Sequence, residues 1–161
     1  MGNAVAIRHA EGDRDICAVR ELFNEYQQWL GVDLCFQGFS EELKGLPGAY
    51  NAPEGCLLLA CDGEQYTGVI GIRRLETESG DNVCEMKRLY VRPPWRGKGI
   101  GRVLSESALS WSKDAGYVRI CLDTLESLSE ARALYVSQGF RQIDSYYHNP
   151  LEAPLYMERD L

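Results

Sequence analysis

Arg96-x-x-Gly99-x-Gly101, with Gly97 and Lys98 inside it, is the spacing in this chain best suited to chemistry. A β-rich run from Cys84 to Val91 leads into it, Pro93 and Pro94 stop that run, and a helical pattern starts at Ile100. Glycines at alternate positions remove the Cβ atoms that would hold a ligand off the backbone. The helix start offers unpaired N–H groups and the positive end of its dipole, while Arg96, Lys98 and Arg102 add formal charge. Strand, glycine turn and helix N-terminus together make a site for a phosphate or pyrophosphate. Two familiar phosphate loops are excluded. No Gly-x4-Gly-Lys-Ser/Thr run exists, and G-x-G-x-x-G fails because position 102 is Arg102 and position 104 is Leu104. An ordinary Gly-rich strand-to-helix turn is the plain alternative.

Further candidates lie apart from this loop. In Ala131-x-x-Leu134-Tyr135-x-x-x-Gly139-Phe140, Tyr135 sits on a helical stretch ended by Gly139. It is either a positioned acid or an aromatic packed on a sheet. Strand alternation puts Glu85, Lys87, Leu89 and Val91 on one face and Cys84, Met86, Arg88 and Tyr90 on the other. Glu85 is either a general base for an ammonium nucleophile or the partner of Lys87, Arg88, Arg73 or Arg74 in an ion pair. The loop holding Asp33, Phe36, Gln37 and Phe39 and the segment Tyr146-Tyr147-His148-Asn149-Pro150 are candidates for an acceptor pocket. Asp33 suits an ammonium, whereas Arg73, Arg74, Lys87 and Arg88 suit a carboxylate. Tyr146 and Tyr147 either wall the pocket or cap the sheet.

These residues need elements to hold them. Residues 4–9 alternate like a short strand. Ile16, Val19, Leu22, Phe23, Tyr26, Trp29 and Leu30 recur at helical spacing, which predicts a helix from Asp13 to about Leu30. A short helix is expected over Ser40–Leu46, with Ser40 as its N-cap. Cys56–Cys61 and Tyr66–Leu75 read as strands joined at Asp62-Gly63, and Asn82–Val91 as the next strand. The helix after the glycine loop carries Ile100, Leu104, Ser107/Ala108, Trp111 and Ala115 on one stripe and ends at Gly116. A strand over Tyr117–Asp123, a helix over Ser129–Gln138 and strands near Phe140–Tyr146 and Pro154–Arg159 complete the chain. The order β-α-α-β-β-β-α-β-α-β-β implies one mixed sheet with helices on both faces, an α/β domain.

At 161 residues the chain is the size of one domain, with 45% hydrophobic and 25% charged residues. A net charge of −7 argues against nucleic-acid partners and leans towards cationic small molecules. No run of 18 apolar residues suggests a membrane span, and the first residues lack the apolar core of a signal peptide. The six cysteines form no CxxC pair, and only His9 and His148 could join them in a metal site, so none is expected. They read as reduced core thiols of a cytoplasmic protein. Cys84 and Cys121 have no recognisable His partner to make either a nucleophile.

The R-x-x-G-x-G loop resembles the acetyl-CoA pyrophosphate loop of the GNAT superfamily of N-acetyltransferases. The A-x-x-L-Y-x-x-x-G-F stretch around Tyr135 resembles that superfamily's helix and strand, and the order of elements agrees over nearly the whole chain. The resemblance implies a single domain over residues 1–161 with a mixed, mostly antiparallel sheet of six to seven strands. It implies acetyl-CoA as co-substrate, held by Leu89, Tyr90, Val91, the loop Arg96 to Arg102 and Ser129. Leu128 stands where relatives often carry Asn, with Ser127 and Ser129 beside it. Tyr135 is implied as the acid that protonates the leaving thiolate, and Glu85, eleven positions before Arg96, as the base. Near Leu122–Thr124 a neighbouring strand should splay away, and backbone N–H groups at that gap would polarise the thioester carbonyl. The expected reaction is direct attack of a primary amine in a ternary complex, the acceptor being a small metabolite or amino-acid-like amine. A protein amine, or a non-catalytic CoA-binding regulatory role, is the alternative. Nucleic acid and membrane are not expected partners, and a homodimer is allowed for.

Overall fold

The structure, a computed structural model, describes residues 4–161 apart from the side chain of Phe36. It holds β1 (Ala6–His9), α1 (Gly12–Leu30), α2 (Phe39–Gly45), β2 (Cys56–Asp62), β3 (Gln65–Leu75), β4 (Val83–Val91), α3 (Ile100–Asp114), β5 (Arg119–Leu125), α4 (Ser129–Ser137), β6 (Arg141–Ile143) and β7 (Pro154–Asp160). All the strands join one seven-stranded sheet in the order β1-β2-β3-β4-β5-β7-β6. Every neighbouring pair is antiparallel except β4 and β5. The order of elements and the mixed sheet are those expected. Among the described residues, no helix is long and apolar enough to cross a membrane.

Both faces of the sheet are covered, so the central strands read as continuous apolar runs. In β2, Cys56, Leu58 and Ala60 face the core under α3 and α4, with Ile100, Leu104, Ala108 and Phe140. Leu57, Leu59 and Cys61 face the core under α1, with Val19, Leu22 and Phe23. Helix α1 buries Val19, Leu22 and Phe23 of its expected stripe, while Ile16, Tyr26 and Leu30 are half-buried and Trp29 is exposed. The N–H of its C-cap, Gly31, donates to the Gln27 and Gln28 carbonyls. On α3 the buried stripe is turned from the expected one: Ser105, Leu109 and Ser112 are buried where Ser107 and Trp111 were predicted. The buried hydroxyls are satisfied locally, Ser105 donating to the Gly101 carbonyl at 2.9 Å and Ser112 to that of Ala108 at 2.8 Å. Gln138, after α4, donates to Ser105 Oγ at 2.8 Å and so links the two helices.

Three local expectations are corrected. Helix α2 starts one residue early, capped by the backbone of Gly38, and Ser40 makes no cap. Residues 144–146 leave the sheet, so β6 is only three residues long. Strand β5 runs two residues further than predicted, to Leu125.

At the edge, Asp15 draws β1, α1 and β3 together. It accepts hydrogen bonds from Arg8 at 2.9 Å, the Glu11 N–H at 2.8 Å and Tyr66 at 2.8 Å. The Arg8 guanidinium, helped by the Glu11 N–H and the Tyr66 hydroxyl, holds the Asp15 carboxyl well below the usual range against the opposing effect of burial. A depressed folded-state value means stabilisation that is full above the unfolded value near pH ~3.9 and lost as the pH falls below it. The difference in unfolding free energy between wild type and Asp15→Asn, read from urea melts, is therefore expected to be largest above pH ~4 and to narrow in acid.

Candidate functional site

Strands β4 and β5 are paired only where Val83, Cys84 and Glu85 meet Arg119, Ile120 and Cys121. Beyond that point β4 stays with β3 and β5 with β7, and the two part like a fork. A cleft of about 490 Å³ opens between them. Its walls are residues 86–91 of β4 and 122–125 of β5, and its lining runs on to the glycine loop, the start of α4, and Tyr26, Trp29, Leu30, Leu34 and Gln37 of α1 and the loop after it.

A bulge shapes the β4 wall. Gly71 faces Lys87 and Val69 faces Tyr90, so Ile70 alone opposes both Arg88 and Leu89. Arg88 takes φ 62°, a left-handed conformation that costs a non-glycine residue about 1–2 kcal/mol. Two contacts to Glu42, from Nε at 3.1 Å and Nη2 at 3.3 Å, and the Phe39 ring 5.0 Å away hold it there. The bulge corrects the strict alternation expected of this strand. Cys84 and Met86 face the α3 side, but so do Leu89 and Val91, while Tyr90 joins the core under α1.

At one end of the cleft lies the glycine loop. Gly97 (φ 76°) and Gly99 (φ 80°) are left-handed, which only glycine adopts without strain. A Cβ at either would meet nothing within 4 Å, so the space over their backbone is open. Gly99 caps α3 with no side-chain hydrogen bond, which leaves the first N–H groups of that helix available to a ligand. Arg96 donates to the Val91 carbonyl at 2.7 Å, and its guanidinium lies 4.8 Å from the Trp29 ring and 5.4 Å from that of Tyr90. Gly97, Gly99, Ile100, Gly101 and Ser129 line the cleft with Leu89, Tyr90 and Val91. Lys98 and Arg102 do not line it, and Arg102 donates to Ser137 at 3.2 Å instead. An open, positively charged cradle beside an unpaired strand edge suits a pyrophosphate followed by an amide-bearing arm.

At the fork stand groups that titrate. Tyr135, on α4, is buried, packs edge-on against Phe140 at 5.7 Å and lines the cleft. Burial pushes its phenol above the ordinary value, and the nearby Tyr26 and Asp123 add to that, so it holds its proton firmly. Glu85 lies behind the cleft wall, 1% exposed. One carboxylate oxygen takes Arg73 Nε at 3.0 Å and the other takes the Tyr146 hydroxyl at 2.6 Å. Of the two roles expected for Glu85, the pairing with Arg73 is the one its contacts show.

Asp123 lines the cleft, as does Glu130, and the sequence marks Asp123 only as the end of a strand at the expected gap. It accepts hydrogen bonds from the Tyr147 hydroxyl, from Lys87 Nζ at 3.2 Å, from Asn149 at 3.3 Å and from Gln37 at 3.5 Å. Tyr146 and Tyr147 thus each serve a carboxylate, and neither lines the cleft. Asp33 also stays outside it: exposed, it accepts the Cys35 N–H at 2.8 Å, and Cys35 holds its carboxyl below the ordinary value. The expectation for Phe36 falls on a side chain outside the described residues. Burial raises the Cys84 thiol to about 12 and that of Cys121 to about 11, so neither is a thiolate near neutrality. Among the described residues, no cluster of His, Cys, Asp and Glu is placed to hold a metal ion.

Comparison with known proteins agrees with this geometry. The model of the acetyltransferase (GNAT) family matches residues 17–140. An uncharacterised N-acetyltransferase of Schizosaccharomyces pombe is 36% identical over 157 residues, covering 98% of this chain and 95% of that protein. An aminoglycoside N(6')-acetyltransferase type 1 of Stenotrophomonas maltophilia is 33% identical over 107 residues, 62% of this chain and 69% of that protein. The PaiA N-acetyltransferase of Thermoplasma acidophilum, solved in complex with coenzyme A, has the same fold, with a TM-score of 0.75 over 98% of this chain and 99% of that one at 21% identity.

Tyr147→Phe removes the hydroxyl donated to Asp123. Leaving that carboxylate short of a donor is expected to destabilise the protein by about 1–3 kcal/mol in urea denaturation.

Proposed function

The chain belongs to the GNAT family of acetyltransferases, and from that premise we propose that it moves an acetyl group from acetyl-CoA to a primary amine of a small molecule. The observation that carries this reading is the single cleft running from the glycine loop to Tyr135 through the gap between β4 and β5. The loop N–H groups and Arg96 suit the pyrophosphate. The free edge of β4 at residues 89–91 suits the amides of the pantetheine arm, and Ser129 stands near them on the far wall. Its thioester supplies the activated acetyl group.

The chemistry asked of the protein is modest. The amine nitrogen, as its free base, forms a bond to the carbonyl carbon and gives up one proton to water, and the C–S bond breaks with its electron pair going to sulfur. Tyr135 gives its proton to that sulfur and regains one from water. A phenol whose ordinary value is raised by burial keeps the proton until a thiolate develops to take it. Burial of Cys84 and Cys121 as neutral thiols favours direct attack over an acyl-enzyme. Glu85 serves by fixing Arg73 and Tyr146. A small acceptor is supported by the aminoglycoside relative, which acts on a small amine-bearing molecule by its name.

Titration calorimetry with acetyl-CoA is expected to give micromolar binding, weakened roughly tenfold or more by Arg96→Ala. Absence of binding by the wild-type protein would sink the reading. Tyr135→Phe is expected to lower kcat by roughly ten- to a thousandfold with acetyl-CoA affinity unchanged, followed by thiol release. An unaltered kcat removes Tyr135 from the mechanism.

A further inference from the structure

Building on the acetyltransferase reading above, we infer that Asp123 receives the acceptor's nitrogen, and that the acceptor is a primary amine with an apolar body and no carboxylate beside that nitrogen. Asp123 is the second residue of β5 beyond the last pair with β4, which places it at the fork itself. Its carboxylate is a built feature, gripped by Gln37 from the loop after α1, Lys87 from β4, and Tyr147 and Asn149 from the segment before β7. Three of these donors fall on Oδ2, and Oδ1 has only Lys87. A carboxylate oxygen accepts two hydrogen bonds, so Oδ1 has one left for an incoming N–H.

The surroundings of Asp123 narrow the acceptor. An acceptor carboxylate needs a cation; Arg96 lies at the glycine loop, and the cations nearer the fork are already matched. Arg88 is held by both oxygens of Glu42, Arg73 by Glu85 and Lys87 by Asp123. Lys87 and Arg88 are each 5% exposed, and pulling either from its partner would strand a buried carboxylate. The rest of that end of the cleft is Tyr26, Leu30, Leu34 and Leu151, which offer apolar surface.

The same arrangement prepares the nucleophile. Asp123 favours the bound ammonium while the Lys87 ammonium sharing that carboxylate offsets this, and the acceptor releases one proton to water before it attacks. One proton passes from nitrogen to Oδ1 as the C–N bond forms and leaves to water when the amide departs. With the proton Tyr135 gives to sulfur replaced from water, the sum is ammonium plus thioester to amide, thiol and one released proton. Asp123 approaches from the α1 face of the sheet and Tyr135 from the α4 face, so base and acid flank the reacting carbon.

The test uses the purified full chain with saturating acetyl-CoA and matched acceptors, phenethylamine against phenylalanine and isoamylamine against leucine, with thiol release as the readout. The amines are expected to exceed their amino acids in kcat/KM by roughly tenfold or more. Equal or better use of the amino acids overturns the acceptor class and leaves the acetyltransferase reading standing, and release with neither series overturns the inference. Asp123→Asn is expected to raise KM for phenethylamine on the order of ten- to a hundredfold with acetyl-CoA affinity unchanged. An unchanged KM and kcat in a variant that still binds acetyl-CoA removes Asp123 from the site. Should that variant fail to fold, the matched pairs on the unaltered chain decide the matter. Loss of acetyl-CoA binding by the unaltered chain is the separate failure that takes the acetyltransferase reading with it.

Discussion

The parting of β4 and β5 after three paired residues is the constraint on which the site depends. In an unbroken ladder, strands lie about 4.8 Å apart and side chains on opposite faces are screened from one another by the sheet. Where the ladder opens, that screen is gone. Tyr135, packed with the α3 and α4 core, and Asp123, tied to the loop after α1, then border one space. The parallel pairing contributes too, since β4 and β5 both run towards the fork and deliver their C-terminal residues to it. Helix α3 springs from the same end through the glycine loop, so its N-terminus opens on the gap.

Charge pairing holds the α1 side of the cleft in shape. Glu42 on α2 bridges Arg73 on β3 and Arg88 on β4, and Arg73 reaches Glu85. Ion pairs this buried add little net stability, because desolvation offsets most of the attraction. They do fix geometry. Each charge is satisfied only when α2, the loop after α1 and the segment before β7 are seated on the sheet. The elements on the α1 side of the cleft are thereby tied to β3 and β4.

Much of this was legible from the sequence, for reasons that can be named. Helical and strand periods differ enough that α1, β2, β3 and α3 stand out. The glycine loop announces itself because its left-handed positions demand glycine. What was missed depends on contacts between distant segments. Asp123 gathers donors from positions 37, 87, 147 and 149, and no local pattern marks that convergence. Asp33 had the right chemistry and the wrong place, since its carboxylate turns back onto its own loop. The bulge at Arg88 was invisible because arginine carries no preference for φ 62°. Tertiary contacts to Glu42 and Phe39 impose it.

That one extra residue in β4 gives the strand two phases. Up to Lys87 its odd-numbered side chains look towards α1, and from Leu89 onward the even-numbered ones do. Removing a residue between them would leave every neighbouring residue type intact, yet it would turn Leu89 and Val91 out of one core and Tyr90 out of the other. Along this stretch the count of residues is held more tightly than their identities. Insertions and deletions here are therefore structural changes of a different order from substitutions, and related chains should differ in letters at these positions long before they differ in length.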